Sequence, residues 1–430
     1  MNIAFLGIVF AAFVTAALGQ IKWIGDQISP MESLSKGVID SAAGAVELAL
    51  GLIGVMTLFL GLMKVAEAGG LLRIVASLIR PVMVRLFPEV PARHPAMGAM
   101  ILNLSANAMG LGNAATPFGI RAMQELDKLN PRQGTATDAM ALFLAINTSS
   151  ITLLPTGVIA LRASVGSGDP AGIVPTTLFS TLCSTAAAVI AAKVYGRFFP
   201  NKSANADEGV SEIDEYHSAE SSAETSDDFN KAYPLWVSLS AIGIFIAMIP
   251  LAVIYGRTLS PWIIPCLMIG FLAFGVLRRV KVYEVFVEGA KEGFQVAVRI
   301  IPYLVAILVA VGMFRTSGAL EFVVDWLGPW TGRVGLPAEA LPMALMRPLS
   351  GSGAYGILAS IIQDPAVGPD SYTGYLVSTL QGSTETTFYV LAVYFGAVHV
   401  RRIRHTLAAA LTADLFALIA AVVACAYLFR

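Results

Sequence analysis

Nine stretches of this sequence are long and apolar enough to be helices buried in hydrocarbon, and two of them carry polar residues at their centres. The uninterrupted stretches fall at about 3–19, 42–66, 173–198, 234–256, 259–277, 296–315 and 405–429, and the interrupted ones at 139–161 and 374–398. A helix of ~20 apolar residues crosses a bilayer core, and a soluble core has no place for so many runs of that length. Only 13% of the residues are charged, against roughly 25% in soluble domains; the mean hydropathy is +0.72. Backbone groups inside a bilayer must pair within the chain, which leaves helices or closed barrels. Runs of this length predict an all-α integral membrane protein.

The 430 residues allow on the order of ten crossings and no separate soluble domain of ordinary size. The first run, Ile3 to Gly19, lacks the basic flank of a signal peptide and reads as a retained helix. A net charge of −1 gives no indication of nucleic acid. Cys183, Cys266 and Cys425 lie in apolar segments without metal-ligand or disulfide spacing, so no metal site is predicted. His94, His399 and His405 have no ligand spacing, and no GxSxG, HExxH or phosphate-loop lysine occurs, so the chain reads as a non-enzyme.

Residues 201–230 are acidic, rich in serine and alanine, and poor in large apolar side chains. Such a segment cannot bury enough surface to fold alone, and it reads as a disordered cytoplasmic linker between halves at 1–200 and 231–430. The halves look alike. Aligning Val38 with Val287 puts Gly44 on Gly293 and Gly69 on Gly318; after small gaps Met97 falls on Met343, Ala108 on Ala354, and Asn147–Ser150 on Gln381–Thr384. Lys193, Arg197 and Lys202 place the end of the first half in the cytoplasm by the positive-inside rule. Arg401, Arg402 and Arg404 follow the second polar-centred segment, whereas its counterpart is followed by only Arg162 and a neutral loop. The halves are therefore expected to face opposite ways, as two inverted-topology repeats, a signature of secondary transporters with mid-membrane sites.

The polar interruptions carry the candidate site. Pro95 to Asn113 sets Asn103, Ser105, Asn107 and Asn113 among apolar and glycine residues, too broken for a plain crossing. Irregular backbone survives at membrane depth only against protein or a wet cavity, so this piece reads as a re-entrant hairpin. Its counterpart, Leu341 to Gly356, carries Arg347-Pro348 and then Ser350, Gly351, Ser352 and Gly353, and is expected to turn near those glycines. Arg347 at membrane depth needs a partner. Glu385, after Gln381, Ser383 and Thr384 in the middle of its segment, can pair with Arg347, coordinate Na⁺ or take a proton. Opposite it, Asn147, Thr148, Ser149, Ser150 and Thr152 offer hydroxyls and an amide suited to a neutral polar ligand. Each half is thus expected to contain a re-entrant hairpin and an interrupted transmembrane helix.

The run HPAMGAMILNLSANAMGLGNAATPFGIRAMQELDKLNP, followed by FLAINTSSITLLPTGVIALRAS, resembles spore maturation protein A. The runs VYEVFVEGAKEGFQVAVRIIPYLVAILVAVGMFRTSGAL, LMRPLSGSGAYGIL and GSTETTFYVLAVYFGAV resemble spore maturation protein B. The chain therefore resembles a fusion of the two, within the nucleoside-recognition, gate-domain membrane families that also include concentrative nucleoside transporters. The resemblance implies a transporter of a small polar solute, nucleoside-like, in the bacterial inner (cytoplasmic) membrane, coupled to H⁺ or Na⁺ through Glu385 and without a cofactor. It also implies a homo-oligomer. The alternatives are a non-transporting scaffold or sensor with a gate-type ligand site, and an ion channel. The gate cysteines of ferrous iron transporters are missing from 95–113, 147–152, 341–356 and 381–387, which disfavours a soft metal as cargo.

Overall fold

The computed structural model describes residues 2–25, 28–110, 112–199 and 256–429, with Trp236, Ser240 and Gly243 between them. The acidic linker and most of the predicted run 234–256 lie outside the described residues. Apart from an isolated bridge between Thr135 and Arg402, everything regular among the described residues is helical. Helix α1 spans Asn2–Ile21, α2 Pro30–Ala68, α3 Leu71–Leu86, α4 Pro95–Ala108, α5 Gly112–Lys128, α6 Asp138–Thr148, α7 Thr156–Ser164 and α8 Val174–Phe198. The later part contributes α9 Gly256–Leu277, α10 Val282–Thr316, α11 Ala319–Thr331, α12 Leu341–Met346, α13 Gly351–Gln363, α14 Tyr372–Ser383, α15 Thr387–Gly396 and α16 Thr406–Phe429.

Among the described residues three helices are long and apolar enough to cross a membrane, Pro30–Ala68, Val174–Phe198 and Thr406–Phe429. A fourth candidate is the pair Leu304–Thr316 and Ala319–Val334, bent by 73° at its break. Helix α2 starts where the sequence allows it: Ser29 caps the backbone N–H of Glu32 at 3.2 Å and Pro30 occupies the first turn, where a missing N–H costs nothing. Its 39 residues extend for about 58 Å at ~1.5 Å per residue, well beyond the apolar run 42–66, and its more polar first turns pack at Gly37 and Ser41 against the end of α10.

Helices α2 and α10 pack antiparallel along their length. Gly37 faces Thr316, Ser41 faces Gly312, Met56 faces Gly293 and Leu60 faces Gly289, so the register runs in opposite directions. The approach is close. A Cβ on Gly293 would sit 2.8 Å from the Met56 carbonyl oxygen, which is the packing small residues permit between helices in lipid. Lys64 pairs with Glu67 at 3.7 Å and also reaches Glu292 across this seam at 3.1 Å. Helices α8 and α16 pack the same way: Ser184 donates to the Ala413 carbonyl at 2.9 Å and Ser180 to the Ala417 carbonyl at 2.8 Å.

The two larger apolar cores among the described residues lie at opposite ends of the α8–α16 seam. One gathers Leu52, Phe59, Leu161, Leu304, Leu358 and Leu376; the other gathers Phe87, Met97, Met123, Phe143, Tyr394 and Val400. Gly70 and Gly318 are both left-handed, with φ of +86° and +79°, and each precedes the next helix, α3 and α11. Gly318 therefore corresponds to Gly70, one residue beyond the Gly69 that the alignment paired with it. The second helix–turn–helix also turns earlier than the glycines suggested, at Arg347–Ser350. Ser350 accepts from the Gly353 N–H at 3.0 Å and starts α13 at Gly351, so a serine cap outweighs glycine flexibility there.

Candidate functional site

Both polar-centred segments are broken helices. Thr137 caps α6 through Met140 N at 3.1 Å, α6 stops at Thr148, and helix resumes at Thr156. Pro155 bars the residue before it from helical backbone. Ser371 caps α14, which stops at Ser383; Thr384 and Thr386 are extended, and α15 begins at Thr387. The two breaks touch. The Glu385 N–H donates to the Thr148 carbonyl at 2.8 Å, and a Cβ on Gly382 would meet Pro155 and Thr177 at 3.0 Å.

Each helix–turn–helix tip abuts a break. After α4, the Ala108 carbonyl accepts from Leu153 N at 2.9 Å, and Asn107 Nδ2 donates to Asn147 Oδ1 at 2.9 Å. After α12, the Pro348 carbonyl accepts from Phe388 N at 3.1 Å. Arg347, 7% exposed, donates through one terminal nitrogen to Thr386 Oγ1 at 3.3 Å. Among the described residues no ion pair joins Arg347 to Glu385; the threonine beside the glutamate takes that place.

The predicted residues divide into two groups. Ser105 is turned back onto the Ile101 carbonyl, Thr148 onto Ala145, Ser383 onto Leu380 and Thr152 weakly onto Ser150. Ser149 bonds the Ile146 carbonyl and Thr185 of α8. These are helix-ending or helix-joining bonds, as is the Ser350 cap. The second group keeps buried polar atoms without a partner among the described residues: Asn103 Oδ1, Ser150 Oγ, Arg347 Nε and Gln381 Oε1. Asn103 is otherwise held through Nδ2 by the Ala115 carbonyl at 2.8 Å and the Tyr394 hydroxyl at 3.1 Å. Ser352 is half-buried in the first turn of α13, Thr384 is buried, and Glu385 is half-buried. The side chain of Asn113 lies outside the described residues.

Two residues that sequence reasoning passed over are central. Asp414 in α16 accepts from Thr387 Oγ1 at 2.7 Å; its signal was a lone acid in the apolar run 405–429. Arg162, read only as a loop charge, is fully buried and forms an ion pair with Asp370 at 2.9 Å. Its guanidinium also donates to the Pro369 and Asp169 carbonyls and to Ser167 and Ser378. The signal was an arginine at the end of a long apolar segment.

That ion pair joins the end of α7 to the start of α14. At the other end, Arg404 after α15 pairs with Asp138 at the start of α6 at 2.7 Å, and Arg401 and Arg402 donate backbone N–H groups to Gly134. Two ionic clasps thus close the opposite ends of the crossed, broken helices. Beside the second clasp a cavity of about 750 Å³ is lined by Phe87, Glu89, Asp138, Leu142, Lys193 and Arg197 among others; none of the predicted site residues lines it. Burial pushes the Glu89 carboxyl above the usual range, with Asp138 adding to it.

The nucleoside-recognition (Gate) family pattern matches residues 49–165 and 297–401, which include both broken helices and both helix–turn–helix pieces. Spore maturation protein B of Bacillus subtilis is 47% identical over 171 residues, 40% of this chain and 95% of that protein. Spore maturation protein A of the same organism is 46% identical over 160 residues, 37% of this chain and 82% of that protein. Each spans part of the chain, as in a fusion of the two. Inner membrane protein YjiG of Escherichia coli is 31% identical over 103 residues, 24% of this chain and 64% of that protein. Among solved structures, a variant of CNTnw in an outward-facing state aligns with TM-score 0.46 and 11% identity over 99% of both chains.

Proposed function

This chain belongs to the nucleoside-recognition Gate family, and from that premise we propose that it carries a small polar solute, nucleoside-like by family analogy, across a bacterial inner membrane as a homo-oligomer. The observation that carries the reading is that Ser150 Oγ, Arg347 Nε and Gln381 Oε1, buried and without a partner among the described residues, lie at the two helix breaks and at the turn between α12 and α13. An unmet buried polar group costs roughly 1–3 kcal/mol. Three of them at the breaks and the turn suit a site whose partner is a polar solute or water rather than protein. Glu385 supplies the negative charge there and is the candidate for H⁺ or Na⁺ coupling.

The antiparallel packing of α2 on α10 and of α8 on α16 supports reading 1–200 and 231–430 as inverted repeats joined by the linker 201–230. A two-fold axis in the membrane plane turns each helix against its counterpart. On the same reading α4–α5 and α12–α13 are re-entrant hairpins, and α6–α7 and α14–α15 interrupted spans. Lys193, Arg197 and Arg404 converge at one end, where Arg404 reaches the Phe199 carbonyl; the positive-inside rule makes that end cytoplasmic.

Thermal stabilisation of the purified full chain by nucleosides, amino acids, dicarboxylates and metal ions tests the reading, because ligand bound to the folded state raises apparent stability. A hit lost in both Arg347→Ala and Glu385→Gln is expected. A hit unaffected by either variant would move the site elsewhere, and no hit at all would favour a non-transporting role.

A further inference from the structure

Asp414 is the only charged residue in α16. One carboxyl oxygen is held by Thr387; the other, Oδ1, is buried with no partner in the protein. An ionised carboxylate has about four lone-pair sites to satisfy, and one neutral hydroxyl does not replace its lost hydration. The nearby cation is Arg347, bonded to the residue next to the one that holds Asp414; among the described residues it forms an ion pair with neither Asp414 nor Glu385. The two charges are held by consecutive residues: Thr386 takes the Arg347 guanidinium and Thr387 takes Asp414, at the first turn of α15.

We propose that Asp414 is a proton-binding site whose occupancy is set by Arg347, so that a solute acceptor on Arg347 and a proton on Asp414 stabilise each other. A cation favours the ionised form of a carboxylate near it. When an acceptor group of a solute engages the guanidinium, its pull on Asp414 weakens and the carboxylate takes one proton from the aqueous phase. Release of the solute restores the pull, and the proton leaves. Other elements packed against α16 bring no competing charge: α6 carries none between Asp138 and Thr148, α8 carries the titratable Cys183 and no charge before Lys193, and α14 carries Tyr372 and Tyr375 and no charge. Tyr389 and Tyr394 are the titratable groups on α15, and Glu385 stands in the break on the far side of Arg347. The coupling consequence rests on the transport reading; the proton site itself does not.

The test is infrared titration of protonated carboxyl groups in the full chain in lipid nanodiscs, with no solute added. Asp414→Asn is expected to remove one titrating carboxyl band, and Arg347→Gln to move the midpoint of that band to higher pH, since loss of the cation disfavours ionisation. Thr387→Val, which removes only the hydroxyl donor, is expected to move it the same way and serves if Arg347→Gln does not fold. A band that persists in Asp414→Asn, or a midpoint unmoved in the other variants, overturns the proposal. Solute binding with no such band defeats the proton site alone, and a band without any solute binding defeats the transport reading alone.

Discussion

Arg162 and Asp370, 208 positions apart in sequence, form an ion pair at 2.9 Å in which the arginine has no exposed surface. The guanidinium lies 4.3 Å from the centre of the Tyr375 ring and bonds two carbonyls and two hydroxyls besides. Most of what a buried cation loses in water is returned here by a planar fork of donors.

Lysine cannot reproduce that fork. Arg162→Lys is expected to destabilise the protein by about 3 kcal/mol or more, at the lower end of what breaking a buried pair costs. Asp370→Asn should cost less, because Asp370 is 41% exposed and water replaces part of its role. Denaturant unfolding in detergent gives the order; equal effects, or a harmless lysine, would contradict it.

The α2–α10 seam tolerates no side chain at Gly293, whereas its aligned partner Gly44 has nothing within 4 Å of a Cβ. Gly293→Leu is expected to lower stability by about 1–3 kcal/mol or more through overpacking, and Gly44→Leu to leave it nearly unchanged. Melting temperatures of the two variants check this directly.

His405, 1% exposed, precedes α16 with neither ring nitrogen bonded. Burial lowers its pKa first and Arg404 further, with Asp138 and the Ala192 backbone opposing. A depressed folded-state value means the unfolded chain binds the proton more readily. Stability is then full above the ordinary histidine value of about 6.5 and falls as pH drops below it. Melting curves between about pH 8 and about pH 5, the range in which histidine titrates, are expected to show a loss that His405→Gln reduces; an identical loss in that variant would assign it to other groups.

Tyr394 ties α15 to α4 through Asn103. Tyr394→Phe removes a buried hydroxyl that accepts from Asn103 Nδ2 and is expected to cost about 1 kcal/mol. A chemical unfolding midpoint unchanged from wild type would show the bond contributes nothing.

Much of the helical framework was legible without coordinates. The runs 173–198 and 405–429 became Val174–Phe198 and Thr406–Phe429, and the breaks fell where polar residues interrupt apolar ones. The long helices were not legible at their full length, because the turn-forming and charged residues of 30–41 look like a loop to a hydropathy reading. Nor was Asp414 singled out, since one acid barely alters the mean of a long apolar run. Arg347 illustrates the other failure: Glu385 was a sound electrostatic partner, yet the extended backbone at Thr384–Thr386 turns Thr386 toward the guanidinium instead.

The sequence by itself determined that this chain is a helical membrane protein and where its helices break. Those properties follow from local hydropathy and backbone bonding, which each segment carries regardless of its neighbours. Tertiary structure alone decided that the two breaks meet, that Arg162 finds Asp370 and Arg404 finds Asp138, and that Asp414 stands across from Arg347. Such contacts depend on how antiparallel helices set their register, and register comes from small residues and side-chain volumes meeting across hundreds of positions.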